Sequence, residues 1–106
     1  MTTKKLNVST TSFNRMVNFF LDEKNDYQKQ KLEVAEAILS NCPVLVNFNR
    51  VRSTKICNVV LSFLQGVIYP VCGECYKISD ESYLFGTLEA FADGSLYKWI
   101  KNNGRL

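Results

Sequence analysis

Four cysteines and no histidine bound the chemistry open to this chain of 106 residues. Cys72-Gly73-Glu74-Cys75 has the C-x-x-C spacing of a redox pair or of half a zinc site. A redox pair needs its first thiol lowered by a helix N-terminus. Here the pair follows one predicted strand and enters another. A zinc site would have to recruit Cys42 and Cys57, and the four lack a paired-knuckle spacing. The cysteines therefore read as core or turn residues. The lack of histidine removes the commonest general base near neutral pH and the commonest imidazole ligand. Asp80 and Glu81 are adjacent in a predicted turn, which does not aim two carboxylates at one substrate. No glycine-rich phosphate loop and no serine elbow is present. The expectation is a protein that is not an enzyme, with no cofactor, no metal and no small-molecule substrate.

Binding chemistry is better represented. Arg50 and Arg52 fall in a predicted loop and suggest an anion or carboxylate partner, against a plain solvated loop. Tyr69, Tyr76, Tyr83 and Phe85 lie on predicted strands and raise the alternative of a small nucleic-acid-binding domain. The basic, glycine-rich strand signature of such a platform is absent, so a core role is favoured and no nucleic acid is expected. A formal charge of +3 permits an acidic partner or an anionic membrane and requires neither.

These residues need elements to hold them. Pro43 to Phe48 is a short apolar run expected to be a strand buried on both faces. Ser53-Thr54 then precedes Ile56, Val59, Val60, Phe63, Leu64 and Val67, one face of a helix. Gly66 closes that pattern, and a strand is expected over 67–71, interrupted by Pro70. Residues 75–78 and 83–87 read as two more strands around a turn at 79–82. Leu32, Ala35, Ile38 and Leu39 repeat as a helix of about three turns, with residues 22–31 read as a polar linker before it, or as helix themselves, since Lys and Gln are good helix formers. Residues 88–106 leave strand and helix both open. Together these predict an α+β fold, a compact two-layer α/β sandwich with a small mixed sheet covered by two helices.

Phe13, Met16, Val17, Phe20 and Leu21 fall at i, i+3, i+4, i+7 and i+8, the stripe of an amphipathic helix over 13–21. Such a helix either docks on the core or lies flat on a membrane. Residues 1–9, with Lys4 and Lys5, are expected to be mobile. The chain divides, on this reading, into 1–31, helix and linker, and a core of 32–106 with a basic tail. With no signal peptide, a reducing compartment is the default. No apolar run reaches the roughly 18 residues of a transmembrane helix. The helix after Ser53 has more apolar surface than one sheet can bury. Cys57, Leu61 and Gly66 are the candidate self-association residues. At Gly66 the alternatives are a positive φ or the close approach of a second chain.

The stretch Val44-Leu45-Val46-Asn47-Phe48-Asn49-Arg50 resembles the V-V-V-N-L-x-R segment of SepF, a family of bacterial cell-division proteins. The likeness runs without a gap through Val60-Leu61-Ser62-Phe63-Leu64-Gln65-Gly66, similar to I-V-D-F-L-x-G. It continues through Ile68-Tyr69-Pro70-Val71-Cys72-Gly73-Glu74, similar to V-Y-A-I-G-G-D, then Lys77-Ile78 and Tyr83-Leu84-Phe85. Ser62 stands for the family's Asp, Cys72 and Ser79 for glycines, and Thr87 for a Pro. The family's first strand, before the helix at 32–39, is not recognisable, and its long linker is cut to a few residues. The resemblance points to a divergent, reduced member. It implies an adaptor that forms a homo-oligomer, binds the C-terminal tail of the tubulin-like protein FtsZ, and tethers the division ring to an anionic membrane surface. That places it in the cytoplasm, peripheral at the inner face of the cell membrane at the division site. The family's N-terminal membrane helix, carried over, falls on Phe13, Met16, Val17, Phe20 and Leu21.

Overall fold

A computed structural model describes residues 11–102. The expectations for residues 1–9, with Lys4 and Lys5, and for the end of the basic tail fall outside the described residues. The chain runs from a 3-10 turn (Phe13–Arg15) into strand β1 (Val17–Asp22), helix α1 (Tyr27–Leu39) and strand β2 (Val44–Arg50). Helix α2 (Thr54–Ile68), strands β3 (Glu74–Ser79) and β4 (Ser82–Gly86), and two short helices, α3 (Leu88–Phe91) and α4 (Ser95–Asn102), follow. The four strands form one mixed sheet in the order β1-β2-β4-β3. β1 runs parallel to β2, while β4 is antiparallel to both β2 and β3.

The expected two-layer α/β sandwich is present. Val44, Val46 and Phe48 alternate to one face of β2, and with Phe85 of β4 they meet Val34, Ala35 and Ile38 of α1 and Val60, Leu64 and Ile68 of α2. On the other face a second cluster joins Ile78 and Leu84 to Ala90, Phe91, Leu96 and Ile100, with Leu45 and Tyr76 beside it. The C-terminal residues, which gave no clear period, are thus two helices lying on the sheet's second face. Thr87 starts α3, its hydroxyl accepting from Ala90 N at 3.1 Å.

Three expectations are corrected. The helix over 13–21 is not formed: residues 17–22 are a strand, in register Val17 to Val44 and Phe19 to Val46. Five apolar residues in nine positions fit a helical stripe, but Phe19 and Leu21 also fit a two-residue alternation, and a helix so short is marginal alone. The open edge of β2 decides between them. The family's first strand is therefore present, and residues 17–31 belong to the core rather than to a separate segment. Second, of the two readings of residues 22–31 the linker holds only to Asp26, and α1 begins at Tyr27. Asp26 caps it, accepting from Gln28 N at 3.1 Å and Lys29 N at 3.2 Å. Third, no strand forms at 67–71. Val60, Leu64 and Ile68 sit four apart on one buried face, so α2 runs on through Gly66 to Ile68. The chain then turns through Cys72, a non-glycine residue at φ 52°. At Gly73 a Cβ would lie 2.5 Å from the Gly86 carbonyl oxygen and 2.7 Å from Ile68 Cβ, so the turn admits only glycine.

Candidate interaction surfaces

Among the described residues, no three His, Cys, Asp or Glu side chains are grouped to hold a metal. All four cysteines are free thiols. Cys72 is exposed, while burial pushes the Cys75 thiol up to about 11. Burial also raises Cys57, helped by the Glu23 charge and opposed by a backbone hydrogen bond. A thiol pushed up is a poor nucleophile at neutral pH, the opposite of what a C-x-x-C redox pair requires.

The strand aromatics do not form a platform for bases. Phe85 is fully buried, Tyr83 packs edge-on to Phe48 at 5.9 Å, and Tyr76 packs against Phe91 and Tyr97. Tyr69 is exposed, but at the end of α2 rather than on a strand. Instead the tyrosines build a clamp. Tyr97 Oη of α4 donates to Glu74 Oε2 at 2.6 Å, and Tyr76 Oη donates to Glu74 Oε1. Burial and then the Glu74 hydrogen bond hold the Tyr97 phenol well above its usual range. For Tyr76 the hydrogen bond to Glu74 is the larger cause. One carboxylate of β3 thereby ties α4 to the sheet. A second tie is Asp93, which accepts from Ser12 N at 2.8 Å and from Ser95 N at 2.9 Å. Burial pushes the Asp93 carboxyl up, but the hydrogen bonds from Ser12 and Ser95 outweigh it and hold it below the usual value.

The five residues expected to bind membrane do not share a face. Leu21 is in the core and Met16 packs on the second cluster, while Phe13, Val17 and Phe20 are exposed. With the helix gone, the geometric basis for that assignment goes too. The self-association residues also separate. Cys57 and Leu61 border a shallow hollow with Phe48, Asn58 and Tyr83. Gly66 lies nine residues beyond Cys57, about half a turn round the helix at ~100° per residue. It is exposed and within regular helix, so the positive φ is excluded; a Cβ there would meet nothing within 4 Å. Val59, Phe63 and Gly66 share one stripe of α2. On α1, Leu32 and Leu39 are each 54 % exposed.

Sequence reasoning saw only part of the surface at the C-terminal ends of β1 and β2, and Arg50, expected in a loop, is the last residue of β2. There Asp22, Lys24, Asn49, Arg50 and Arg52 line an open hollow of about 330 Å³. The Arg50 guanidinium sits 5.1 Å from the Phe20 ring centroid. Only the two arginines were legible, because Lys24 and Phe20 reach them through the parallel pairing of β1.

No family model matches the chain. It is similar to proteins named cell division protein SepF. With that of Lacticaseibacillus casei (strain BL23) it is 29 % identical over 72 residues, 68 % of this chain and 47 % of that protein. With that of Limosilactobacillus reuteri (strain DSM 20016) it is 28 % identical over 101 residues, 95 % of this chain and 72 % of the relative. With that of Lactobacillus helveticus (strain DPC 4571) it is 27 % identical over 74 residues, 70 % and 50 % of the two chains. The chain thus spans about half the length of the first and third of these relatives. The core motifs and these similarities together support assigning the chain to the SepF family of cell-division proteins, as a divergent member.

Proposed function

We propose that the chain is a non-enzymatic adaptor of bacterial cell division, which binds the C-terminal tail of FtsZ and organises the division ring at the membrane. The observation that carries this reading is the similarity to SepF proteins over two thirds or more of the chain. The fold is compatible with it: a rigid mixed sheet under two helices can present binding surfaces without a catalytic centre. Among the described residues no helix is long and apolar enough to cross a membrane.

Self-association belongs to the same proposal. The outer surface of the helix layer carries Leu32 and Leu39 on α1 and Gly66 on α2, apolar or bare positions with room for a second subunit. Linking several weak tail sites on one body raises the affinity for a filament far above that of a single site. Symmetric two-fold contact is the default for such a surface. The test is co-sedimentation with FtsZ filaments, with and without anionic vesicles, beside a single-stranded oligonucleotide control. The adaptor pellets with filaments and leaves the oligonucleotide unbound. Binding to the oligonucleotide and not to filaments contradicts it.

A further inference from the structure

The two edges of the sheet differ. On the β3 edge the only lysine of the strand, Lys77, is exposed at mid-strand, and Glu74 is held by two tyrosines. Charged residues of this kind discourage pairing with another strand. β1, Val-Asn-Phe-Phe-Leu-Asp over 17–22, has neither lysine nor proline. Val17 N donates to the Pro43 carbonyl at 2.9 Å, so the peptide groups of Val17 face β2. Alternation along a parallel strand then turns those of Asn18 and Phe20 to the side that has no strand partner among the described residues.

The next outward position is already filled, by a side chain acting as a strand would. Asp22 N donates to Gln30 Oε1 at 3.0 Å, and Gln30 Nε2 donates to the Asp22 carbonyl at 2.8 Å. Beyond it lies the hollow of Lys24, Arg50 and Arg52. Asp22, which lines it, and the neighbouring Glu23 are engaged with other donors. Asp22 accepts from Lys24 N at 3.0 Å and Asn25 Nδ2 at 3.2 Å, and Glu23 Oε1 accepts from Arg52 N at 2.8 Å and Ser53 N at 3.1 Å. No carboxylate among the described residues pairs with the side chains of Lys24, Arg50 or Arg52.

We propose that the open edge of β1, from Asn18 to the basic hollow of Lys24, Arg50 and Arg52, is a docking strip for an extended acidic peptide segment of a partner protein. The peptide groups of Asn18 and Phe20 receive its backbone, and the exposed Phe20 ring receives an apolar side chain. The three cations receive its carboxylates. Charge complementarity favours this occupant over a second copy. Antiparallel pairing of β1 with itself would set this basic end beside residues 11–17 of the other copy, which contain no carboxylate. The inference rests on the adaptor reading only for the identity of the partner, giving that reading a face for the filament tail.

The experiment uses the ¹⁵N-labelled full chain and, as probe, a blocked six-residue peptide alternating Glu and Val. Titration shifts the amides of Asn18, Phe20 and Lys24 saturably and leaves those of β3 in place. Arg50→Glu with Arg52→Glu weakens binding by about tenfold or more. Lys98→Glu with Lys101→Glu, the same change of charge on α4, leaves it unaltered. Arg50→Gln, a milder variant that keeps the fold, weakens it less. The proposal is overturned if the peptide does not bind, if the shifts fall on residues 74–79, or if Arg50→Glu with Arg52→Glu binds as tightly as the native chain. It is also overturned if vesicles of anionic lipid move these amides and the peptide does not. Failure of the chain to pellet with FtsZ would remove the adaptor reading and leave this result standing.

Discussion

The two faces of the sheet are covered by different physics. On the first, α1 and α2 bury Val34, Ile38, Val60 and Leu64 completely against Val44, Val46 and Phe85. That layer is apolar, aliphatic with Phe48 and Phe85 among it, and its stability comes from area removed from water. On the second face, α3 and α4 bury Phe91, Leu96 and Ile100, but polar ties locate them: Tyr97 to Glu74, Asp93 to Ser12, and Thr87 Oγ1 to Asn41 Oδ1 at 2.7 Å. Short helices contribute little stability of their own. The second layer is accordingly the part expected to open first, while the first layer is the cooperative core.

The largest effect follows from emptying the first layer. Leu64→Ala deletes a fully buried side chain between α2 and the sheet and should cost about 2–5 kcal/mol by urea denaturation. If it costs no more than an exposed substitution such as Leu88→Ala, the first layer is not the core. Next comes the clamp. Tyr97→Phe removes one hydrogen bond to a carboxylate and should cost about 1–2 kcal/mol, reduced by the partial exposure of Glu74. Its signature is faster hydrogen exchange in α4 with protection in α2 unchanged. Equal acceleration in both helices would show that the two layers open as one.

The same clamp gives a pH dependence. The phenols of Tyr76 and Tyr97 and the thiol of Cys75 are all raised in the folded chain. Their contribution is complete below the unfolded values, near 9 for the thiol and 10 for the phenols. Above these the unfolded chain ionises first, so stability falls as pH rises, for Cys75 through about 11. Thermal melts from pH 8 to 11 should show this loss, and Tyr97→Phe should flatten it. A stability that rises over that range would have the wrong sign.

Two smaller changes should stabilise. Cys72 holds φ 52°, a conformation costing an ordinary residue about 1–2 kcal/mol. Cys72→Gly should recover about 1 kcal/mol of that, less the extra freedom glycine has when unfolded. Gly66→Ala should add about 0.5–1 kcal/mol, because Gly66 is within α2 and a Cβ there meets nothing. A loss of stability at Gly66 would mean that the helix is distorted there.

Which parts were legible in the sequence follows from how many physical signals agreed. β2, the start of α2 at Ser53 and the β3–β4 hairpin each had pattern and boundary residues pointing one way. Ser53 does cap α2, accepting from Ile56 N at 3.2 Å. The misreadings fell where one signal spoke alone. At residues 13–21 spacing suggested a helix, and only the pairing of Val17 and Phe19 with β2 makes it a strand. Asp26 was passed over as a cap because the apolar repeat starts at Leu32. The α3–α4 layer was opaque, since its placement depends on long-range ties such as Asp93 to Ser12. For the surfaces, Arg50 and Arg52 were visible as charges, but their relation to Phe20 and Lys24 is made by the fold.

The adaptor account is tested most directly by binding to the filament tail alone. A fluorescently labelled peptide of the FtsZ C-terminal tail, titrated with the chain, should show a saturable rise in anisotropy. Filaments of FtsZ lacking that tail should no longer carry the chain into the pellet. Equal pelleting with intact and tailless FtsZ, with no change in the peptide's anisotropy, would contradict it.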